Sequence, residues 1–257
     1  MFRKTPKIDA EEARPPQTLA EVTAMEAWRF DPLCIAEDDP AVNVPSQRHD
    51  KFRIKMLMRD GERRRETDLL IQKRYAWRGY GQIGTEDEPN QLTMNVELFG
   101  RVYATLTVNI DSPAGLALDS TYGAEAARLR AAGCKLCEFG RFAIDPTARS
   151  KRLIISLVHL LYIYAHRVKG CTDILIEINP RHRAFYEKLL EFEQLGAERT
   201  CERVNAPAIL MHLSCAKIER RLREIGGKWR ELPDEKSAYK FALSAEEEEE
   251  LVSRLGY

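Results

Sequence analysis

Apolar and polar positions follow their clearest pattern in the second half of the chain. Residues 171–178 are mostly apolar and contain several β-branched side chains, which predicts a buried strand. Residues 135–145 predict a second strand, and residues 153–168 between the two are apolar nearly all round, which predicts a helix buried against a sheet. Asn179 suits a helix N-cap and Pro180 the first helical turn, so a helix should begin directly after the strand.

The flanking segments add further elements on both sides of this core. In chain order they are a strand at 51–58, a charged helix at 62–78, a hairpin at 91–98 and 102–110, a short helix at 122–132, strands at 198–204 and 208–213, and helices at 216–225 and 245–255. Residues 1–48 contain many prolines and one helical hint, at 19–30, so we expect an extension that is partly disordered or draped on the domain. The domain itself should occupy 49–215. Residues 216–257 should form charged C-terminal helices, and the five glutamates at 246–250 predict a solvated helix face.

Composition and charge are those of an ordinary globular protein. The chain has 257 residues, 44% of them hydrophobic and 31% charged, and a formal net charge of zero. Zero net charge gives no support to a nucleic-acid-binding protein, and no apolar run approaches the roughly 18 residues of a membrane span. The first residues do not read as a secretory signal, and six scattered cysteines favour reduced thiols, so we expect a cytoplasmic protein.

Two short motifs have the letters of a cofactor or metal site without the required context. Residues 79–84, Gly-Tyr-Gly-Gln-Ile-Gly, match a dinucleotide-binding loop, but a predicted helix precedes them and a polar loop follows, so we interpret them as a plain glycine loop. Cys134 and Cys137 have zinc-knuckle spacing, but no second pair completes four ligands. His159 and His166 lie in the apolar helix and are interpreted as core or surface histidines. We predict no metal site.

A series of residues accompanies this order of elements. In chain order they are Arg74-Tyr75, Arg78-Gly79-Tyr80, 104–108 (Ala-Thr-Leu-Thr-Val), Asp111-Ser112, Gly115-Leu116, Glu125, Leu129-Arg130, Cys137-Glu138, Arg141-Phe142-Ala143, 179–182 (Asn-Pro-Arg-His), Phe185-Tyr186 and 203–208 (Arg-Val-Asn-Ala-Pro-Ala). Their order and spacing resemble the N-acyl amino acid synthase family. That family belongs to the GNAT acyltransferase superfamily and is related to acyl-homoserine-lactone autoinducer synthases.

The resemblance implies an α/β (α+β) fold of the GNAT type, in which a central mixed sheet of about six to seven strands is flanked by helices in three layers. It implies a bacterial N-acyltransferase that moves a long-chain fatty acyl group to the α-amine of an amino acid. The donor would be the phosphopantetheine thioester of acyl carrier protein, with acyl-CoA as the alternative, and no cofactor would be tightly bound. Three other functions stay open: an autoinducer synthase-like enzyme, a CoA-dependent N-acetyltransferase, and a non-enzymatic module that binds a carrier protein or lipid.

The resemblance also implies roles for two residues of the strand at 135–145. Glu138 would accept a proton from the attacking amine, and Arg141 would hold the carboxylate of the amino acid. Residues three apart in a strand point to opposite faces, so a β-bulge must intervene, as the resemblance implies at the place where the sheet opens. A buried structural ion pair is the alternative interpretation of the same two residues.

Tyr186 would be the general acid that protonates the departing thiolate, or else one more aromatic residue of the core. The other residues implied in substrate binding are Arg74, Tyr75, Arg78, Asn179 and His182. The family usually has Gly-Phe after the helix that bears the tyrosine, where this chain has Glu191-Phe192. That glycine would allow a left-handed turn, so the exit from the helix should differ here.

The acyl donor is expected at the loop that follows the strand at 135–145. The residues implied are Phe142, Ala143, Arg149, Lys151 and Arg152. Related enzymes have a glycine-rich turn here that cradles a pyrophosphate, but this chain has no glycine between Asp145 and Gly170. The three cations are suited to a phosphopantetheine phosphate or to the acidic helices of a carrier protein. A solvated basic loop is the alternative.

Overall fold

The structure, a computed structural model, describes residues 18–23, 51–57, 61–76, 90–98, 100–148 and 151–254. The described strands are β1 (Thr18–Thr23), β2 (Lys51–Met56), β3 (Gln91–Leu98), β4 (Arg101–Ile110), β5 (Leu136–Ile144), β6 (Asp173–Ile178), β7 (Glu193–Gln194), β8 (Arg199–Cys201) and β9 (Ala206–Ser214). The described helices are α1 (Gly61–Ala76), α2 (Asp119–Ala131), α3 (Lys151–Tyr162), α4 (Arg183–Leu190), α5 (Cys215–Ile225) and α6 (Ala245–Arg254). A π-helical turn, Ile163–Val168, continues α3.

The strands form one mixed sheet in the order β1-β2-β3-β4-β5-β6-β9-β7, with β8 paired to β9. Neighbouring strands are antiparallel except β5 and β6, which are parallel and joined through α3. The predicted mixed sheet is confirmed, although the described residues form nine strands rather than six or seven. The helical hint at 19–30 was wrong for 19–23, which belong to β1 and pair with β2, and 24–30 lie outside the described residues.

Helices cover both faces of the sheet, as the predicted three layers require. The larger core cluster lies on the α3 face and includes Leu157 and Leu161. The smaller cluster lies under α2 and includes Leu118 and Tyr122. No helix of the described residues combines the length and the apolar character needed to cross a membrane.

A β-bulge interrupts β5. Thr107 of β4 pairs with Gly140 and Thr105 pairs with Ala143, so two residues of β5 stand opposite one residue of β4. Arg141 is one of the two and has a φ of 52°, in the left-handed region. The bulge implied between Glu138 and Arg141 is therefore present.

The bulge reverses which face of the sheet the odd-numbered and even-numbered residues of β5 occupy. Before it, Leu136 packs in the smaller cluster while Cys137 and Phe139 pack in the larger one. After it, Phe142 and Ile144 pack against the larger cluster, so even-numbered residues have moved to the face that odd-numbered residues occupied. Arg141 is the extra residue at which this change takes place.

The sheet opens between β5 and β6. The two strands pair at Leu136–Asp173, Cys137–Ile174 and Glu138–Leu175, and within this described part of the sheet no later pair joins them. β6 stays paired with β9 as far as Ile178. A cleft therefore begins directly after Glu138, with β5 on one side and β6 on the other.

The exit from α4 keeps the left-handed turn without its glycine. Glu191, the C-cap of α4, has a φ of 59° and is therefore left-handed. The expectation that the backbone would leave this helix differently without a glycine was wrong. A left-handed conformation is unfavourable for a residue with a Cβ atom. The Glu191 carboxylate accepts hydrogen bonds from Arg221 Nε (2.9 Å) and Ser237 Oγ (2.8 Å), which hold the residue in place.

The C-terminal segment packs onto α3. His159 is buried, and its Nδ1 accepts a hydrogen bond from the Leu243 N–H at 3.2 Å. Nε2 therefore carries the proton and donates to Glu248 Oε2 at 3.0 Å, while Arg167 donates to Glu248 Oε1 at 2.8 Å. The prediction of a solvated glutamate face was thus wrong for Glu248 and right for its four acidic neighbours, which are exposed.

Candidate active site

Glu138 lies at the base of the cleft and is only 5% exposed. Its carboxylate accepts a hydrogen bond from the Leu118 N–H at 3.1 Å, just before α2 begins. Burial raises the pKa of Glu138 to about 7, against the opposing effects of Arg203 and of backbone N–H groups; the nearby charge of Glu177 raises it further. A carboxyl with this pKa can accept a proton near neutral pH and release it again.

Charged hydrogen bonds from the Arg130 guanidinium fix the loop before α2. Arg130 Nε donates to Asp111 Oδ2 at 2.6 Å, and Arg130 Nη2 donates to Asp119 Oδ2 at 2.7 Å. Asp119 also accepts from the Leu116 N–H at 2.8 Å. These bonds hold the backbone that presents the Leu118 N–H to Glu138.

Glu177 and Arg203 form an ion pair beside Glu138, and neither was predicted as a site residue. Arg203 Nη2 donates to Glu177 Oε2, and its charge also acts on Glu138. The Glu177 side chain is 6% exposed, and its buried Oε1 has no hydrogen-bond partner among the described residues. A charged residue inside the apolar run at 171–178 was the signal in the sequence that could have identified it.

Arg141 lies on the β5 side of the cleft, three residues beyond Glu138. Its side chain is half-buried, and within the described part of the chain its buried Nη1 finds no hydrogen-bond partner. A buried guanidinium nitrogen without a partner is unfavourable, so this atom is suited to an anionic ligand. The bulge brings Arg141 to the same opening as Glu138, but the two side chains form no ion pair in the described structure.

Tyr186 packs on the face opposite Glu138. The half-buried Tyr186 ring meets Phe185 edge-on at 5.1 Å and Phe192 at 5.9 Å between centroids, and it packs against the larger core cluster. Glu138 is on the α2 face, so the two predicted catalytic residues belong to different layers. Only a ligand that passes between β5 and β6 can be near both.

Asn179 and His182 lie at the far end of β6. Asn179 Oδ1 accepts from the Arg181 N–H at 3.2 Å, as predicted for an N-cap, and its Nδ2 donates to the Pro207 carbonyl at 3.2 Å. His182 Nε2 accepts from Arg181 Nε at 3.2 Å. Asn179 thus holds the end of β6 to β9, which gives it a structural role at the rim of the cleft.

The end of α1 lies against the bulge. The Tyr75 hydroxyl donates to the Phe142 carbonyl at 3.2 Å, and Ala143 is buried with α1 residues in a separate small cluster. Arg74 is half-buried in the last turn of α1. Arg78 lies outside the described residues.

The predicted donor loop meets the C-terminal segment. Lys151 and Arg152 begin α3, and Arg149 lies outside the described residues. The Arg152 guanidinium is 5.6 Å from the centroid of the Trp229 ring, and that of Arg230 is 4.5 Å from the same centroid. Burial lowers the pKa of Arg152; the nearby charge of Glu247 opposes this effect and that of Arg230 adds to it. Arg152 is therefore part of a packed cationic cluster rather than of a solvated loop.

Comparison with known proteins identifies the family of this chain. The family model described as N-acyl amino acid synthase FeeM matches residues 66–214. The structure of FeeM, an N-acyl amino acid synthase from uncultured soil microbes, is 29% identical, covers 65% of this chain and 92% of its own, and gives a TM-score of 0.58. A search of curated proteins gave no match.

Two further solved structures are similar at lower identity. The AHL synthase LasI is 14% identical and covers 65% of this chain and 90% of its own, with a TM-score of 0.46. An N-acetyltransferase from Staphylococcus aureus Mu50 is 13% identical and covers 64% and 98%, with a TM-score of 0.45. Because the family model spans more than half of the chain, this protein belongs to the FeeM family of N-acyl amino acid synthases and is an N-acyltransferase.

Proposed function

We propose that this enzyme transfers a long-chain fatty acyl group from an acyl carrier protein thioester to the α-amine of an amino acid. The observation that carries the proposal is the arrangement of Glu138 and Arg141 at the opening of the sheet. One is a buried carboxyl with its pKa raised to about 7, and the other has a buried nitrogen with no partner among the described residues. A base and a carboxylate-binding cation at one opening are suited to an amine and a carboxylate attached to the same carbon.

The proton transfers follow from this arrangement. Glu138 takes one proton from the ammonium group, and the freed lone pair of the nitrogen forms the C–N bond at the thioester carbonyl. The C–S bond then breaks with its electron pair on sulfur. Tyr186 protonates the departing thiolate, the second proton of the nitrogen passes through water to restore the Tyr186 hydroxyl, and Glu138 releases its proton to water. Arg141 holds the carboxylate so that the amine stays next to the carbonyl carbon.

The cationic cluster at the start of α3 supports a carrier-protein donor. Arg152 and Arg230 both lie over the Trp229 ring at the start of α3, and Lys151 directly precedes Arg152, so we expect a donor phosphate beside these three cations. Such a cluster suits the single phosphate of phosphopantetheine and the acidic surface of a carrier protein. The missing glycines after β5 limit the close backbone approach that a pyrophosphate needs. The partner would then be acyl carrier protein and the compartment the cytoplasm.

The test combines each candidate acyl donor with each candidate acceptor. Acyl carrier protein thioesters of several chain lengths, the matching acyl-CoA esters and acetyl-CoA are each incubated with the twenty protein amino acids, and products are identified by mass spectrometry. We expect N-acyl amino acids, with the long-chain carrier thioester giving the highest kcat/KM. Equal use of acetyl-CoA would reject the donor proposal. Acylation of S-adenosylmethionine in place of amino acids would reject the acceptor proposal and favour an autoinducer synthase.

A further inference from the structure

The Glu177 side chain is buried but uses only one of its two oxygens. Oε2 accepts a hydrogen bond from Arg203, whereas Oε1 has no partner among the described residues. Buried carboxylate oxygens are nearly always hydrogen-bonded, because burial removes the water that would otherwise solvate them. An unpartnered buried oxygen is therefore suited to a donor that arrives with a ligand.

The position of Glu177 in the sheet places this oxygen at the cleft. Leu175 pairs with Glu138, and Glu177 is two residues further along β6, on the same face. Strand spacing and rise put the Cα atoms of the two glutamates about 8 Å apart at this point. Since β5 and β6 have separated there, the space between the glutamates belongs to the cleft.

The local charge favours a cation. Two carboxylates, those of Glu138 and Glu177, share the single guanidinium of Arg203. When both carboxylates are ionised, the three groups carry one net negative charge. A ligand ammonium group would balance this charge and supply hydrogen-bond donors to Glu177 Oε1.

We infer that Glu177 is the ammonium subsite of the enzyme: Oε1 accepts a hydrogen bond from the α-ammonium of the amino-acid acceptor and holds the nitrogen beside Glu138. Arg203 positions Glu177 through Oε2. This inference rests on the proposed acceptor and adds a binding residue to Glu138 and Arg141. It places the two charged ends of the amino acid on opposite strands of the cleft, with the ammonium at β6 and the carboxylate at β5.

The decisive variant is Glu177→Gln, which keeps the shape of the side chain and removes its charge. For the amino acid with the highest kcat/KM in wild-type enzyme, we expect KM to rise about tenfold or more, equivalent to about 1.4 kcal/mol or more of lost binding. The deaminated acid of the same amino acid, used as a competitive inhibitor, should bind wild type and variant equally. A merely structural glutamate would weaken both ligands or neither.

Glu125→Gln is the matched control. Glu125 has a side chain 7% exposed and forms a comparable ion pair with Arg199, at 2.6 Å, but it belongs to α2 and to neither strand of the cleft. This control should lose thermal stability and keep the wild-type KM. A KM shift of equal size in Glu125→Gln would show that any disrupted ion pair has this effect, and would overturn the inference.

The outcomes separate this inference from the proposed function. If wild-type enzyme acylates no amino acid, the proposed function itself fails. If wild type is active and soluble Glu177→Gln keeps the wild-type KM, only the ammonium subsite is rejected. Should Glu177→Gln not fold, Glu177→Asp keeps the charge but shortens the side chain by one methylene; a raised KM with an unchanged inhibition constant supports the subsite, and an unchanged KM rejects it.

Discussion

Replacement of Glu138 by glutamine should make the enzyme more stable at alkaline pH while nearly abolishing its activity. The amide keeps the shape of the side chain, and its oxygen can still accept the hydrogen bond from the Leu118 N–H. It cannot ionise, so it neither serves as a base nor places a negative charge in the core. Stability and activity should therefore change in opposite directions.

The magnitude follows from the pKa. Burial raises the Glu138 pKa from 4.5 to about 7, which corresponds to about 3 kcal/mol. Because the folded protein binds this proton more tightly than the unfolded chain, the stabilising contribution is complete below pH 4.5. It is lost as the pH rises through about 7, and Glu138→Gln avoids this loss. The advantage of the variant over wild type should thus grow by about 3 kcal/mol, or roughly 6 to 12 °C in Tm, between acid and alkaline pH.

Urea denaturation at about pH 4.5 and about pH 8.5, together with a pH profile of kcat/KM, measures both effects. Wild-type kcat/KM should rise through an apparent pKa of about 7, and the variant should be reduced about 100-fold or more at alkaline pH. Glu125→Gln should behave in the opposite way. Burial acts to raise the pKa of Glu125, but the hydrogen bonds it accepts from Arg199 and from the backbone, together with the charges of Arg199 and Arg128, lower it below its normal value. That variant should therefore lose stability above the normal carboxyl pKa.

A Glu138→Gln variant that is less stable than wild type at alkaline pH would show that ionised Glu138 stabilises the fold. That result would mean that ionised Glu138 is held by Arg203 as a structural ion pair. Full activity of the soluble variant would independently remove Glu138 from the chemistry.

Three other substitutions test neighbouring parts of the structure. Arg141→Lys cannot form a bidentate carboxylate contact, so KM for the amino acid should rise about tenfold in initial-rate assays; an unchanged KM would exclude that contact. Tyr186→Phe should lower kcat and kcat/KM together by about 100-fold if the hydroxyl protonates the thiolate, whereas a loss of about 1 kcal/mol in urea with unchanged turnover would assign Tyr186 to the core. His159→Ala leaves one oxygen of Glu248 and the Leu243 N–H without their partner, so urea denaturation should show a loss of about 2 kcal/mol with unchanged kcat. An unchanged urea midpoint would show that this buried contact is not stabilising.

The sequence predicts the central elements well because their patterns are local. The apolar runs at 135–145 and 171–178 correspond to β5 and β6, and the uniformly apolar stretch between them corresponds to α3 with its π-helical continuation. The helical hint failed at 19–23 because β1 depends on pairing with β2, about thirty residues later in the chain, and no local periodicity encodes that partner. Glu191 adopts the left-handed turn because Arg221 and Ser237, distant in sequence, bind its side chain.

The sequence could identify a site residue only where its type and position in the chain were informative without the folded structure. Glu138 and Arg141 could be named from the sequence, but their relation depends on a bulge that spacing alone does not specify. Glu177 was missed because its unusual feature is an oxygen without a partner, and hydrogen-bond satisfaction can be judged only after folding. The cluster of Arg152 with Trp229 likewise joins two segments that are distant in the sequence.

The bulge in β5 and the separation of β5 from β6 together bring Arg141 to the same opening as Glu138. In a regular strand Arg141 would share the face of Cys137 and Phe139, opposite Glu138. The extra residue moves Arg141 out of this alternation, at a local cost of about 1–2 kcal/mol for a left-handed residue with a Cβ atom.

The opening of the sheet then leaves a buried donor on Arg141 and a buried acceptor on Glu177 without partners in the described structure. These two unsatisfied groups have opposite charges and lie on opposite strands of one cleft. A zwitterion can satisfy both at once, whereas a simple amine or a simple carboxylate would leave one of them unpaired, and this difference is a physical basis for selecting an amino acid as the acceptor.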